Sequence, residues 1–250
     1  MFKGYYNLTS GMLTQQRNLN VVANNMTNVS TAGFKASRYT SSTFGEVMFS
    51  RVGNKDSIGT EIGGQSYIRA TSDVETDFTQ GTLEPTGLPL DFAIAGEGFF
   101  AVESVEDGSV FYTRNGSFSL DEEGFLCLPG YGRVLSATGN PLQIRTDQIL
   151  VDHDGVISYA EGGTLGQLGV YTFANNDDLV RDQPGFFTGE GAQLSENPDI
   201  LQQHLERSNT DIVKQMTDMI SYQRSLQSAT QVMKMYDSLM NQATTDIGRM

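Results

Sequence analysis

A mixed α and β fold is predicted, with long N- and C-terminal helices packing as a coiled-coil-like pair and a central all-β domain. Three observations lead to it. Of 27 glycines, 23 fall between residues 45 and 205, as do all six prolines, so both ends are nearly free of helix breakers. Both ends carry apolar residues at heptad spacing, and the middle alternates short β-branched and aromatic runs with turn residues. The predicted division is residues 1–44 as an N-terminal helical assembly segment, 45–89 as an extended connector, 90–204 as the β domain and 205–250 as a C-terminal helical assembly segment.

The N-terminal heptad places Tyr5, Met12, Leu19 and Met26 at position a and Leu8, Gln15, Val22 and Val29 at position d. Gly33 is the expected helix end, because glycine takes the left-handed conformation of a C-cap without steric cost, although Ser30-Thr31 provides an earlier stop. Asn24, Asn25 and Asn28 crowd the last turns, where amides have poor helix propensity and are suited to fixing register.

Residues 45 to about 80 have weak periodicity and many Ser, Thr and Gly, which reads as an extended connector with one or two strands. Beyond them, strands are expected at Leu90 to Ala95, Phe99 to Val105, Val110 to Thr113, Ser117 to Leu120, Val156 to Tyr159 and Gly166 to Phe173. Asp107-Gly108, Asn115-Gly116, Gly139-Asn140-Pro141 and Asp154-Gly155 punctuate them and suit tight turns.

Ile212, Met219, Leu226, Met233, Met240 and Ile247 occupy a in the C-terminal segment, with Gln215, Tyr222, Ala229, Tyr236 and Ala243 at d. A second stripe of Val213, Met216, Ile220, Val232, Met235 and Leu239 widens the apolar surface beyond one seam. The two ends are readable as a helical hairpin within one chain or as a bundle between chains. The surplus apolar surface favours the second, since it leaves large patches bare on a monomer.

Charge excludes several classes. Sixteen basic residues stand against 30 acidic ones, a net charge of −14, so a surface that tracks phosphates, and hence a nucleic-acid partner, is not expected. Residues 1–45 hold four basic side chains and no acid, and 206–250 are balanced, so the negative charge belongs to the middle. One cysteine, Cys127, permits neither a disulfide framework nor a cysteine-rich zinc cluster. Apolar runs as short as Phe92-Ala93-Ile94-Ala95 predict no membrane insertion, and Met1 to Asn7 lead into polar residues in place of a signal-peptide core.

Candidate sites reduce to turns. Asp152-His153-Asp154-Gly155 opens like a calcium loop but lacks the later ligands, and Gly96-Glu97-Gly98 lacks the third glycine of a dinucleotide loop. His153 and His204 are far apart and have no neighbouring Cys. No catalytic residue, cofactor or metal site is expected. Cys127 lies in an apolar run, Phe125 to Leu128, and reads as a small packing residue, with Ser the more destabilising replacement than Ala.

Several segments carry a resemblance. Ala23-Asn24-Asn25-Met26-Thr27-Asn28-Val29-Ser30-Thr31-Ala32-Gly33-Phe34-Lys35 is similar to the N-terminal signature of flagellar axial proteins, the basal-body rod and hook family. Thr76 to Asp91, Gly96-Glu97-Gly98-Phe99-Phe100 and Tyr112-Thr113-Arg114-Asn115-Gly116-Ser117-Phe118 resemble its central blocks. Leu205-Glu206-Arg207-Ser208-Asn209-Thr210-Asp211 and Met219-Ile220-Ser221-Tyr222-Gln223-Arg224 resemble its C-terminal helix. Length favours a rod protein of the FlgF/FlgG type. The motif residues singled out are Asn24, Asn25, Asn28, Gly33, Phe34 and Asn209.

This resemblance implies a structural subunit, not an enzyme, that self-assembles through its terminal helices into a hollow helical drive shaft transmitting torque. The implied partners are further copies of the chain in a helical filament, other flagellar rod and hook proteins, and the flagellar type III export apparatus. The implied location is the basal body outside the cytoplasmic membrane, in the periplasm or cell-wall zone. The assembly interface is expected at Leu8, Met12, Leu19, Val22, Met26 and Val29, with Ile212, Met219, Tyr222, Leu226, Met233, Tyr236, Met240 and Ile247. The alternative is a glycan-binding or glycan-cleaving β module on a coiled-coil stalk, since 25 acidic residues between 46 and 205 leave room for a carboxylate pair.

Overall fold

The computed structural model describes residues 2–51, 60–105, 107–159, 163–195 and 197–248. The chain forms two compact units: Met1–Met26, Ser37–Glu75 and Ile212–Met250 in one, Thr27–Ala36 and Thr76–Asp211 in the other.

The first unit holds helix α1, Phe2–Thr27, strands β1, Ser37–Arg51, and β2, Thr60–Thr76, which pair as a two-stranded sheet, and helix α2, Ile212–Ile247. At 36 residues, α2 extends roughly 54 Å. Two contacts show that the helices run antiparallel. A Cβ added at Gly4 would lie 2.8 Å from the Tyr236 hydroxyl, and Asn25 Nδ2 lies 3.5 Å from Gln215 Oε1. Between these contacts the chain advances 21 residues along α1 and retreats 21 along α2.

α1 ends at Thr27, six residues before the expected cap at Gly33. Asn28, Val29 and Ser30, all weak helix formers, form a turn in which the Thr31 amide donates to the Asn28 carbonyl. The positive φ of Gly33, 67°, serves a different purpose, described below.

The second unit is β-rich. Its main sheet is antiparallel and runs, edge to edge, through Val180–Gln183, Phe186–Thr188, Val110–Thr113, Phe99–Ser104, Gly132–Val134, Leu126–Leu128 and Ser119–Leu120. Ile149–Val151, Val156–Tyr159 and Thr164–Gln167 form a separate three-stranded meander. The stretch 166–173, expected as one strand, is two: Thr164–Gln167 is interrupted at Leu168-Gly169, where Leu168 is bridged to Ser136, and the chain resumes as Val170–Thr172. Gly169 passes so close to Ser136 that a Cβ would lie 2.8 Å from its carbonyl oxygen.

Alternation gives this unit two apolar layers. Phe100 and Val102 face a core with Phe92, Leu126, Ile144 and Ile157, whereas Phe99 faces a smaller aromatic cluster with Phe187 and Phe78. Leu126 and Leu128 point inward and the half-buried Cys127 does not. Its sulfur lies 3.4 Å from the Ser119 hydroxyl, so a serine there has a partner at hand, contrary to the expectation that Ser would be the poorer replacement.

Candidate functional site

Four short segments, far apart in sequence, meet inside the second unit around one carboxylate. Glu206 ends the strand His204–Glu206, which pairs with Leu83–Pro85 and so holds the chain beside residues 79–82. Its Oε1 accepts from Lys35 Nζ at 2.6 Å and from the Gly81 amide at 2.8 Å, and its Oε2 accepts from Arg114 Nη1 at 3.4 Å. Lys35 and Glu206 are each 1% exposed and Arg114 5%. Lys35 Nζ makes a second bond, 2.7 Å, to the Thr79 carbonyl.

Backbone geometry makes the approach possible. The Gly33 amide donates to the Glu206 carbonyl at 2.7 Å, and Gly33 passes so near the 114–115 peptide that a Cβ would lie 2.2 Å from the Arg114 carbonyl carbon. Gly81 is pressed in the same way on the Arg207 carbonyl oxygen, at 2.0 Å for a Cβ. Only glycine fits either place, and at Gly33 the positive φ adds to the demand.

Around this centre the motif residues have defined roles. Phe34 is fully buried, with the Arg181 guanidinium 5.0 Å above its ring and donating to the Lys35 carbonyl at 2.5 Å. Asn209 uses both ends of its amide: Oδ1 accepts from the Ala36 amide at 2.7 Å, and Nδ2 donates to the carbonyls of Asp77 at 2.8 Å and Thr79 at 3.2 Å. Asn209 thereby joins the exit from the N-terminal signature to the entry into α2.

Two cations share one carboxylate in this dry place. Burial pushes Lys35 below its ordinary pKa, with the neighbouring Glu206 opposing the shift, and Arg114 is lowered for the same reason. A charge taken out of water at such cost is tolerated because every oxygen of Glu206 has a donor. The arrangement holds segments together and presents no group to solvent.

The other motif asparagines act near α1. Asn25, 1% exposed, accepts from the Ser37 amide at 2.9 Å and donates to the Ser37 carbonyl at 2.8 Å, stitching the helix end to the start of β1. Asn28 donates to the Thr27 hydroxyl at 3.3 Å and accepts from that of Thr31 at 3.4 Å. Asn24 is exposed.

The heptad rows form the more covered side of α2, whereas on α1 Thr14 and Asn25, off the rows, are buried with Val22, and Tyr5, at a, is exposed. Val22 is 6% exposed, and Leu8, Met12, Leu19, Met26 and Val29 are half-buried. On α2, Met219, Tyr222, Leu226, Met233, Tyr236 and Met240 are half-buried and Ile212 is exposed; the side chain of Ile247 lies outside the described residues. The second stripe stays bare, from 39% exposure at Val232 to 68% at Val213.

Lys35, Arg114 and Glu206 were not singled out by sequence reasoning, although each lies in a segment that carried the resemblance. No group of three or more His, Cys, Asp or Glu among the described residues is placed to hold a metal. His153 Nδ1 pairs with Asp199 Oδ1 at 2.9 Å on the surface, and Asp91, at the start of the strand Phe92–Ile94, is bridged to Ser117.

Comparison with known proteins places these features in a family. Residues 6–35 match the family model for the flagella basal body rod protein, 93–159 the flagellar hook protein FlgE/F/G D1 domain, and 201–246 the C-terminal region of the flagellar basal body rod FlgEFG proteins. Each matched segment supplies one member of the buried triad: Lys35, Arg114 and Glu206. The chain is 31% identical to the flagellar basal-body rod protein FlgG of Bacillus subtilis over 97% of its own length and 98% of that protein's. It is 33% identical to FlgG of Agrobacterium fabrum, covering 92% of this chain and 94% of that one, and 31% identical to FlgF of Caulobacter vibrioides, covering 96% of each.

The chain belongs to the flagellar basal-body rod protein family. Members of that family are structural proteins of the flagellar basal body and not enzymes. No helix among the described residues is long and apolar enough to cross a membrane.

Proposed function

We propose that this protein self-assembles through α1 and α2 into a hollow helical rod that transmits torque. Residues 1–44 and 205–250 are the assembly segments, 45–89 the connector and 90–204 an outward-facing β domain. The a and d rows of α1 and α2 pair as a coiled coil, with Ile212 and Ile247 completing the seam. Other flagellar rod and hook proteins cap the two ends of the shaft. The subunit passes through the flagellar type III export apparatus without inserting into the membrane, and works outside the cytoplasmic membrane in the periplasm or cell-wall zone.

One observation carries this reading: α2 keeps large apolar side chains in water, among them Met216, Met235 and Leu239 at 48%, 62% and 60% exposure. A monomer gains nothing from such a surface, whereas a filament built by repeated contact buries it in every subunit. Many small helix contacts also spread torque over the shaft in place of concentrating it at one hinge.

The test is complementation of a strain lacking the chromosomal copy. The unsubstituted chain restores swimming, and Leu226→Asp abolishes it while the purified variant keeps the β-rich circular dichroism of the parent, because a buried charge in the helix layer costs several kcal/mol. Normal swimming of the deletion strain, or of one carrying only Leu226→Asp, contradicts the proposal.

A further inference from the structure

The bare stripe of α2 is two patches, and their positions differ in a way that specifies how copies meet. Counting heptads from Ile212 at a, Val213, Met216 and Ile220 fall at b, e and b, whereas Val232, Met235 and Leu239 fall at g, c and g. In a heptad, b and e lie on one flank of the a/d seam and c and g on the other. The first half of α2 is therefore apolar on one flank and the second half on the opposite flank. Each member of the first patch precedes its counterpart by 19 positions (213 to 232, 216 to 235, 220 to 239), or about 28 Å of helix. All six are between 39% and 68% exposed.

Charged residues fill the complementary quarters. Lys214 and Asp218, at c and g, stand on the flank that is apolar only in the second half, and Lys234 and Asp237, at b and e, stand on the flank that is apolar only in the first half.

We propose that α2 of one copy lays its 213/216/220 patch on the 232/235/239 patch of α2 in a second copy of this chain, the helices parallel and staggered by 19 residues. The proposal rests on the self-assembly reading above, in which repetition of one contact gives all copies the same direction. Charge then selects the register. Unstaggered parallel helices press each apolar patch against a Lys/Asp pair of the neighbour, which takes charged groups out of water against a surface that offers them no hydrogen bond. The opposite stagger sets Asp237 against Asp218 and Lys234 beside Lys214, like against like. Only the stated stagger buries apolar groups on apolar groups.

The contact is heterologous, since it joins two different patches, and it leaves one patch of each kind free on every pair, so it propagates as an open helix. A two-fold dimer through one patch would close and leave the other patch in water. Three side chains a side is far below the roughly 1,200 Å² of total buried surface that a stable isolated pair requires. Dilute chains are accordingly expected as monomers, and the contact gains strength through repetition.

The experiment uses full-length chains carrying Cys127→Ala with Met216→Cys, Met235→Cys or both, expressed in the strain lacking the chromosomal copy. Basal bodies are isolated and treated with a short bis-maleimide. Rods of either single-cysteine chain give no cross-linked product, mixed rods of the two give dimers, and the double-cysteine chain gives a ladder. Dimers in either single-cysteine rod, or assembled rods without a 216–235 product, overturn the stagger while leaving self-assembly intact. Failure of the unsubstituted chain to form rods overturns the self-assembly reading and the stagger with it. A charge exchange gives an independent check: Met216→Lys and Met235→Asp each abolish swimming and the double variant recovers it. Absence of recovery, with all three variants folded, counts against the pairing.

Discussion

Lys35 Nζ lies 2.6 Å from Glu206 Oε1 with both side chains 1% exposed, although 171 positions separate the two residues. The pair brings the end of the N-terminal signature onto the start of the C-terminal one, and Arg114 adds the β region to the same carboxylate. Three segments that are recognisable separately are thus joined by one buried charge cluster.

Removing the carboxylate deprives two buried cations of the one ion-pair partner they share. Glu206→Gln should lower stability by about 3–5 kcal/mol. Glu84→Gln, which breaks the Arg207–Glu84 pair at 59% and 50% exposure, should cost ~1 kcal/mol or less. Urea denaturation of the purified chains measures both, and equal midpoints for the two variants would refute a central role for the cluster.

Glycines at positive φ separate by what surrounds them. Gly139, φ 81°, has nothing within 4 Å of an added Cβ, so Gly139→Ala should cost only the backbone strain of about 1–2 kcal/mol. Gly33→Ala must also push back the 114–115 peptide, and on the order of 3 kcal/mol or more is expected. Denaturation midpoints that rank the two the other way would show that the close approach at Gly33 relaxes freely.

His153 supplies the pH dependence. Its hydrogen bond to Asp199, helped by the carboxylate's charge, raises its pKa above the ordinary 6.5. A raised folded value means the folded state holds the proton more tightly, so the stabilisation is full below about 6.5 and lost as pH rises through the folded value. Titration followed by the imidazole NMR signals should show a raised pKa in the parent and a return toward 6.5 in Asp199→Asn. A midpoint at or below 6.5 in the parent would rule the pair out in solution.

At Cys127 the structure favours tolerance of both small replacements. Cys127→Ser keeps a hydroxyl partner in Ser119 and Cys127→Ala vacates a half-buried place, so each should shift stability by less than ~1 kcal/mol. A loss of several kcal/mol in Cys127→Ser by thermal unfolding would place the sulfur in a tighter environment than the strand Leu126–Leu128 provides.

How much of this was legible in sequence follows from the reach of each signal. Heptads in stretches nearly free of helix breakers predicted both helices, and the a and d residues Met219, Leu226 and Met233 lie on the more covered side of α2. Strands bounded by turn pairs were readable, as at Val110–Thr113 and Val156–Tyr159, because the pattern is local. β1 and β2 were weakly read, since their Ser, Thr and Gly content hides alternation. The break at Leu168-Gly169 was missed because its cause, the Ser136 carbonyl, lies more than 30 residues away. The charge cluster was invisible for the same reason: Lys35, Arg114 and Glu206 each look like a solvated surface residue until the fold brings them together.

Electron cryomicroscopy of basal bodies isolated from a strain with this chain as its only copy tests the assembly reading most directly. The density should show α1 and α2 lining the channel as the inner wall of the rod, with residues 90–204 outside them. A rod whose channel is lined by the β region, or whose α2 helices make no contact between copies, would contradict it.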